Sequence, residues 1–276
     1  MITNKKYMSD FEAKKLIVDI GKRVYNKNFV AANDGNISVR VGPNTIWCTP
    51  TGVSKGFMTQ DMMVKMDLSG KILSGRSKPS SEVKMHLKVY NENPDTNAVV
   101  HAHPPVATSF AIAGISLEKP ISPEAVVLLG RVPLAPYATP GTQEVPDSIA
   151  PFCKDYHAVL LANHGALTWG RDLTEAYFRM ESLEHYALML MNTTNIINKS
   201  NELDCGQIAD LMEIRNKLGI KTGGVPPCDI NKSATNDLEA NQTSSDATKQ
   251  QVIESIVAKV TEKVLNQYRN GGADGR

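Results

Sequence analysis

The sequence predicts a mixed α/β globular domain, then a polar linker, then a terminal amphipathic helix. Three observations lead to this. Helical periodicity runs from Ser9 to Asn26 and again from Asp172 to about Asn195. Short apolar runs typical of buried strands occur at 98–102 and 158–162. Large apolar residues almost vanish between 227 and 249.

Taken in order, Ser9 with Glu12 three residues later forms a capping box at the start of the first helix. Gly35 to Arg40 and Thr45 to Thr49 read as short strands joined by a turn at Gly42-Pro43-Asn44. A helix is expected over Ser81 to Tyr90, after Pro79 and stopped by Asn93-Pro94. Ala98 to Ala102 and Ala158 to Ala162 are the two buried strands. Asp172 with Glu175 makes an acidic variant of the capping box ahead of the longest helix. These elements fill a domain over 1–226. Residues 227–249 are rich in Asn, Ser, Thr and Asp and cannot bury enough surface to offset the entropy of ordering, so a disordered linker is expected there.

Composition narrows the function. The chain has 276 residues and a formal net charge of +1, which gives no electrostatic reason to expect nucleic acid or an anionic membrane as partner. Met1 to Lys15 is polar and charged, unlike a signal peptide, and no apolar run approaches the roughly 20 residues of a membrane helix. A soluble, cytoplasmic protein is expected. Cys48, Cys153, Cys205 and Cys228 are scattered and form no C-x-x-C pair, so four reduced cysteines are expected.

Histidines carry the clearest chemical signal. His101 and His103 stand two apart on a strand, so their rings share one face. The second apolar run also ends in a histidine, His164, followed by Gly165. Three neutral imidazoles with an open fourth position are the pattern of a catalytic metal site, and zinc is the expected ion. The H-x-H pair alone is equally compatible with ordinary strand residues; His164 joins it only if the two strands are neighbours. His86, His157 and His185 read as helix or surface residues.

Ser80-Ser81-Glu82 opens a predicted helix, where hydroxyls and free N–H groups form a natural phosphate cradle. Asn33-Asp34-Gly35-Asn36 and Thr49-Pro50-Thr51-Gly52 are polar turns able to add donors. Each of the three also suits a plain cap or turn. Glu82 reads either as a metal ligand and proton carrier or as a glutamate that supports the first helical turn.

Together, Gly35-Asn36-Ile37-Ser38-Val39-Arg40, Thr49-Pro50-Thr51-Gly52, Ser80-Ser81-Glu82, His101-Ala102-His103 and Asn163-His164-Gly165 resemble the class II aldolase/adducin family. Their order and the Glu82–His101 and His103–His164 spacings match it, and the resemblance covers about residues 8 to 220. It implies a central, mainly antiparallel sheet flanked by helices, assembled as a homotetramer with sites near subunit interfaces. It implies His101, His103 and His164 as zinc ligands, with Glu82 as acid–base residue and resting-state ligand. Asn36, Thr51, Gly52, Ser80 and Ser81 would hold the substrate phosphate. The implied reaction is zinc-dependent cleavage of a ketose 1-phosphate, such as L-fuculose 1-phosphate, to dihydroxyacetone phosphate and lactaldehyde.

The chain departs from the aldolase pattern at the aldehyde end. Two tyrosines of that pattern would fall at Leu218 and near Ser122, and Glu124 is the candidate side chain close to the second. Family epimerases typically carry Asp where Glu82 stands, a family dehydratase acts on a methylthio-ribulose phosphate, and adducin-type members lack the histidines. A non-catalytic scaffold is the alternative outside enzymology.

Beyond the resemblance, Val252, Ile253, Ile256, Val257, Val260 and Val264 form an apolar stripe along a helix expected over 250–268 of the terminal segment, 250–276. A short helix on a linker is marginal alone, and its stripe seeks a partner. The arrangement resembles encapsulation peptides that bind shell proteins of bacterial microcompartments, which implies a place in the lumen of such a shell.

Overall fold

A computed structural model describes residues 7–228. Of the linker expected over 227–249, Pro227 and Cys228 are described and group with the domain; the rest of it and the terminal helix expected over 250–268 lie outside the described residues.

The first helix, α1, spans Asp10–Asn26, and Ser9 and Glu12 complete the capping box in both directions. Ala13, Ile17, Ile20 and Val24 bury its inner face. Eight strands among the described residues make one sheet, in the order β4-β3-β2-β1-β5-β8-β7-β6. The strands are β1 (Asn36–Gly42), β2 (Thr45–Cys48), β3 (Val64–Asp67), β4 (Ile72–Ser74), β5 (Ala98–Ala102), β6 (Leu134–Ala135), β7 (Ala158–Leu161) and β8 (Gly165–Gly170). All neighbours run antiparallel except β6 and β7, as the family resemblance implies.

Helices cover both faces. On one side α1, α3 (Pro105–Ile112) and α5 (Leu173–Met191) pack on Ile37, Val39, Val100, Leu160 and Ala166. On the other, α2 (Val83–Glu92) and α4 (Glu144–Ile149) pack on Ile46, Met66, Val99, Val159 and Leu167. The last helix, α6 (Cys205–Lys217), follows. Burial of apolar surface at about 25 cal/mol per Å² drives this layering.

The even positions of β1 face α2 but are polar. Ser38 Oγ lies 2.7 Å from His86 Nδ1 and 2.8 Å from the Tyr90 hydroxyl, while Arg40 donates to the Tyr90 carbonyl at 2.9 Å. This buried polar strip leads along β1 to Asn36, beside the histidine strand.

Several expectations are corrected. The helix expected from Ser81 begins at Val83, because Ser80–Glu82 form a turn that leads into it. Asp172 caps α5 by accepting from Glu175 N at 2.8 Å, but the reciprocal half is absent: Glu175 takes the Arg171 N–H at 2.6 Å and both arginines nearby. His157, expected on a helix or the surface, is buried just before β7. Burial in the company of Arg179 and Arg215 brings it down to about 2. Burial likewise lowers His86 to about 3. His185 does lie exposed on α5.

Cys205 and Cys228 are joined in a disulfide with Cα atoms 5.3 Å apart, against the expectation of four reduced thiols. Gly219, Gly223 and Gly224, all at positive φ, turn the chain back after α6, and no spacing rule reports such a return. Closing a loop of this length stabilises a fold by about 3 kcal/mol. Cys48 and Cys153 are free and buried, and burial raises both thiols to about 12.

A three-histidine candidate metal centre

His101 is the penultimate residue of β5, on its α2 face, and is fully buried. Its Nδ1 lies 2.9 Å from the Ala166 carbonyl of β8. A carbonyl only accepts, so Nδ1 carries the proton and Nε2 keeps its lone pair for a metal. His103 follows the strand, held by its N–H on the Phe29 carbonyl at 2.8 Å. Its Nε2 comes within 3.1 Å of His101 Nε2.

His164 arrives by another route. The strands that lead to His101 and His164 are not neighbours, the arrangement the sequence pattern seemed to require. Instead β8 lies between β5 and β7 and pairs with both. His164 sits in the tight β7–β8 turn, where Asn163 takes φ 58°, a left-handed conformation Asn tolerates. A Cβ at Gly165 would stand 2.5 Å from His103 Cδ2, so only glycine lets that ring close in. The three ring centroids end 4.8–5.0 Å apart, and their ligating nitrogens all lie within 4.8 Å of one another.

Glu82 reaches in from the turn before α2. Its Oε1 is 3.1 Å from His164 Nε2 and its Oε2 is 3.5 Å from His101 Nε2. Burial works against the carboxylate, but His101 and the hydrogen bond from His164 outweigh it and bring Glu82 to about 2. Burial lowers His101 to about 3 and lowers His103 as well. Near neutral pH Glu82 is therefore an ionised carboxylate beside His101 and His103 in their neutral form, and with His164 they make the kind of donor set a divalent cation takes.

The polar turns of the sequence meet here. Ser80 N–H donates to the Thr49 carbonyl at 3.2 Å and Thr51 N–H to the Lys78 carbonyl at 2.9 Å. Thr51, Gly52, Ser80, Ser81, Glu82, His103 and His164 thus share one cavity of about 260 Å³. Gly52 takes φ +72°, with open space where a Cβ would be. Asn36 lies beneath, 2% exposed, donating from Nδ2 to Ser80 Oγ at 3.1 Å and to Glu82 Oε2 at 3.0 Å. It braces the cradle from below rather than lining the cavity. Glu124 is exposed at the start of a short helical segment and is not part of this cavity wall. Leu218 is 55% exposed, past the end of α6.

The structure adds Asp34, which the sequence marks only as part of a turn. Its Oδ2 stands 3.5 Å from His103 Nδ1, the nitrogen facing away from the cluster. A carboxylate in that place orients the ring and raises its basicity as a ligand. The available signal is its place in the turn that enters β1, the strand paired with His101.

Known proteins match this geometry. Residues 15–191 match the class II aldolase and adducin N-terminal domain, and the chain belongs to that family. It is 38% identical over 170 residues to an L-fuculose phosphate aldolase of Methanococcus maripaludis, covering 62% of this chain and 91% of that one. It is 33% identical over 186 residues to a 3-oxo-tetronate 4-phosphate decarboxylase of Pectobacterium atrosepticum, covering 66% of this chain and 85% of that one. The crystal structure of an L-fuculose-1-phosphate aldolase from Thermus thermophilus superposes with a TM-score of 0.61 at 29% identity. That match covers 69% of this chain and 98% of the other.

If Asp34 orients His103, Asp34→Ala should lower affinity for the bound ion about ten- to a hundredfold, read by competition with a chelator. Unchanged affinity would show that the carboxylate does not support the ligand.

Proposed function

We propose that this chain is a zinc-dependent carbon–carbon lyase acting on a phosphorylated keto sugar. In the first reading it is an aldolase that cleaves a ketose 1-phosphate, such as L-fuculose 1-phosphate, to dihydroxyacetone phosphate and lactaldehyde. The carrying observation is the shared cavity, with Thr51, Gly52, Ser80 and Ser81 on one side and Glu82, His103 and His164 on the other. A substrate held by its phosphate would present its carbonyl to the histidines.

His101, His103 and His164 would hold the ion, with Glu82 as the resting-state fourth ligand. When bound, zinc supplies Lewis-acid polarisation of the substrate carbonyl. The rest falls to the chain. Backbone N–H groups and hydroxyls at Thr51, Gly52, Ser80 and Ser81 would take the phosphate oxygens. Asn36 would hold Ser80 and Glu82 in register. Loss of the proton on O4 breaks the C3–C4 bond and releases the aldehyde. The electron pair passes into the C2 carbonyl as an enediolate, and Glu82, taking up a proton from solvent once substrate displaces it from its resting place, delivers that proton to C3.

The aldehyde end favours a second reading. Removing the O4 proton calls for an acceptor there, yet the family tyrosine positions are Leu218 and near Ser122, and Glu124 lies outside the cavity wall. Loss of carbon dioxide from a 3-oxo acid phosphate needs no such acceptor. It leaves the same enediolate of dihydroxyacetone phosphate, which the same proton from Glu82 completes. The relative from Pectobacterium supports this reading by its name.

Both readings predict chelator-sensitive release of dihydroxyacetone phosphate, and a panel of ketose 1-phosphates with 3-oxo-tetronate 4-phosphate separates them. An epimerase or dehydratase would release none, and a scaffold would need no ion. Glu82→Gln should lower kcat about 10²- to 10⁴-fold on the true substrate. A fully active Glu82→Gln enzyme would remove Glu82 from the mechanism.

For the whole protein, we propose a homotetramer housed in the lumen of a bacterial microcompartment. The support is the apolar stripe at Val252, Ile253, Ile256, Val257, Val260 and Val264, which would meet a shell protein. Deleting 229–276 keeps Cys228 and its bridge to Cys205. The shortened enzyme should retain its kcat and lose co-purification with shell proteins; persistent shell association would overturn the targeting role.

A further inference from the structure

Lys55 is the one buried lysine among the described residues, at 1% exposure, and the site described above leaves it unused. Its ammonium donates to the Asn33 carbonyl at 2.9 Å and the Val53 carbonyl at 2.6 Å. Among the described residues no carboxylate is in ion-pair contact with it; Asp34 and Glu82 act on it only through space. Burial lowers the ammonium to about 8 against their pull, so at neutral pH the charge persists.

The two carbonyls mark the purpose. Asn33 directly precedes Asp34, the carboxylate beside His103. Val53 directly follows Thr51-Gly52, one wall of the cavity. One ammonium therefore ties together the turn that carries Asp34 and the turn that carries Gly52, though the whole β1–β2 hairpin separates them in sequence. Its own backbone is fixed as well: a Cβ at Gly21 would stand 2.8 Å from the Lys55 carbonyl, so α1 is seated directly against this segment. A buried cation costs several kcal/mol to desolvate, and two neutral carbonyls do not offset its charge. A dianion arriving in the cavity would, since a fixed positive charge attracts it through space.

We infer that Lys55 is a positioning residue for the anion half of the site, clamping the 33–35 and 51–53 turns into a cradle and placing a fixed positive charge behind it for a phosphate dianion. This rests on the proposed lyase reading, in which the substrate is bound by its phosphate.

The test uses the full-length, zinc-loaded protein and inorganic phosphate, titrated calorimetrically. Lys55→Met keeps the length of the side chain and removes its donors and charge. It should raise the dissociation constant for phosphate about tenfold and raise KM for the phosphorylated substrate in parallel, with kcat nearly unchanged. Lys55→Arg, which restores charge and donors, should recover most of the loss. A merely structural lysine would instead lower folded yield or kcat without this KM-selective, charge-dependent pattern. Phosphate binding by Lys55→Met as tight as wild type would overturn the inference while leaving the lyase reading intact. Wild-type protein that binds no phosphate would remove both. Should Lys55→Met fail to fold, lysine-labelled NMR of the wild-type chain decides: phosphate shifts the Lys55 Cε resonance if the inference holds, and an unmoved resonance refutes it.

Discussion

The pairing of β8 with both β5 and β7 is the constraint on which the site depends. Registers His101↔Leu167 and Ala102↔Ala166 fix β8 against β5, and Leu161↔Gly165 fixes the turn that follows β7. Because β8 runs antiparallel to both, β5 and β7 point the same way and deliver their histidines to the same edge. The Ala166 carbonyl of β8 also fixes the proton of His101 on Nδ1. A one-residue slip would turn every side chain of the strand to the other face and remove both effects at once.

Around this edge the structure tolerates polar burial that an ordinary core avoids. Asn36, Ser38 and Arg40 face the α2 side from β1, and each makes at least one hydrogen bond to α2 or to the turn before it. The cluster itself places Glu82 as a half-buried carboxylate beside His101 and His103 in their neutral form. Such a charge is expensive unless a cation shares the space. A divalent ion at the cluster would balance the carboxylate and engage all three imidazoles.

Much of this was legible in the chain. The capping box at Ser9, the β1–β2 hairpin around Pro43-Asn44 and the strand at Ala98–Ala102 follow from local pattern, and the grouping of His101, His103, His164 and Glu82 follows from the family resemblance. What was hidden depends on tertiary pairing. β8 begins and ends on glycine, Gly-Ala-Leu-Thr-Trp-Gly, and these glycines weaken its strand signal although all six residues are buried. In β1, polar residues alternate with Ile37 and Val39, a pattern that ordinarily marks a solvated face; here that face is covered by α2. Asp34 and Lys55 sit in loops and gain their meaning from partners far along the chain or across the sheet. The Cys205–Cys228 bridge depends on a glycine-rich return that no cysteine spacing reveals.

The central claim is that three imidazoles, two from the end of β5 and one from the β7–β8 turn, hold one divalent ion. X-ray absorption at the metal edge, with metal analysis of the full chain purified without chelators, tests it directly. The account predicts one ion per chain with three histidine nitrogens in its ligand set, and loss of one nitrogen in His164→Ala. A metal-free protein after zinc reconstitution, or an ion whose ligand set is unchanged by His164→Ala, would contradict it.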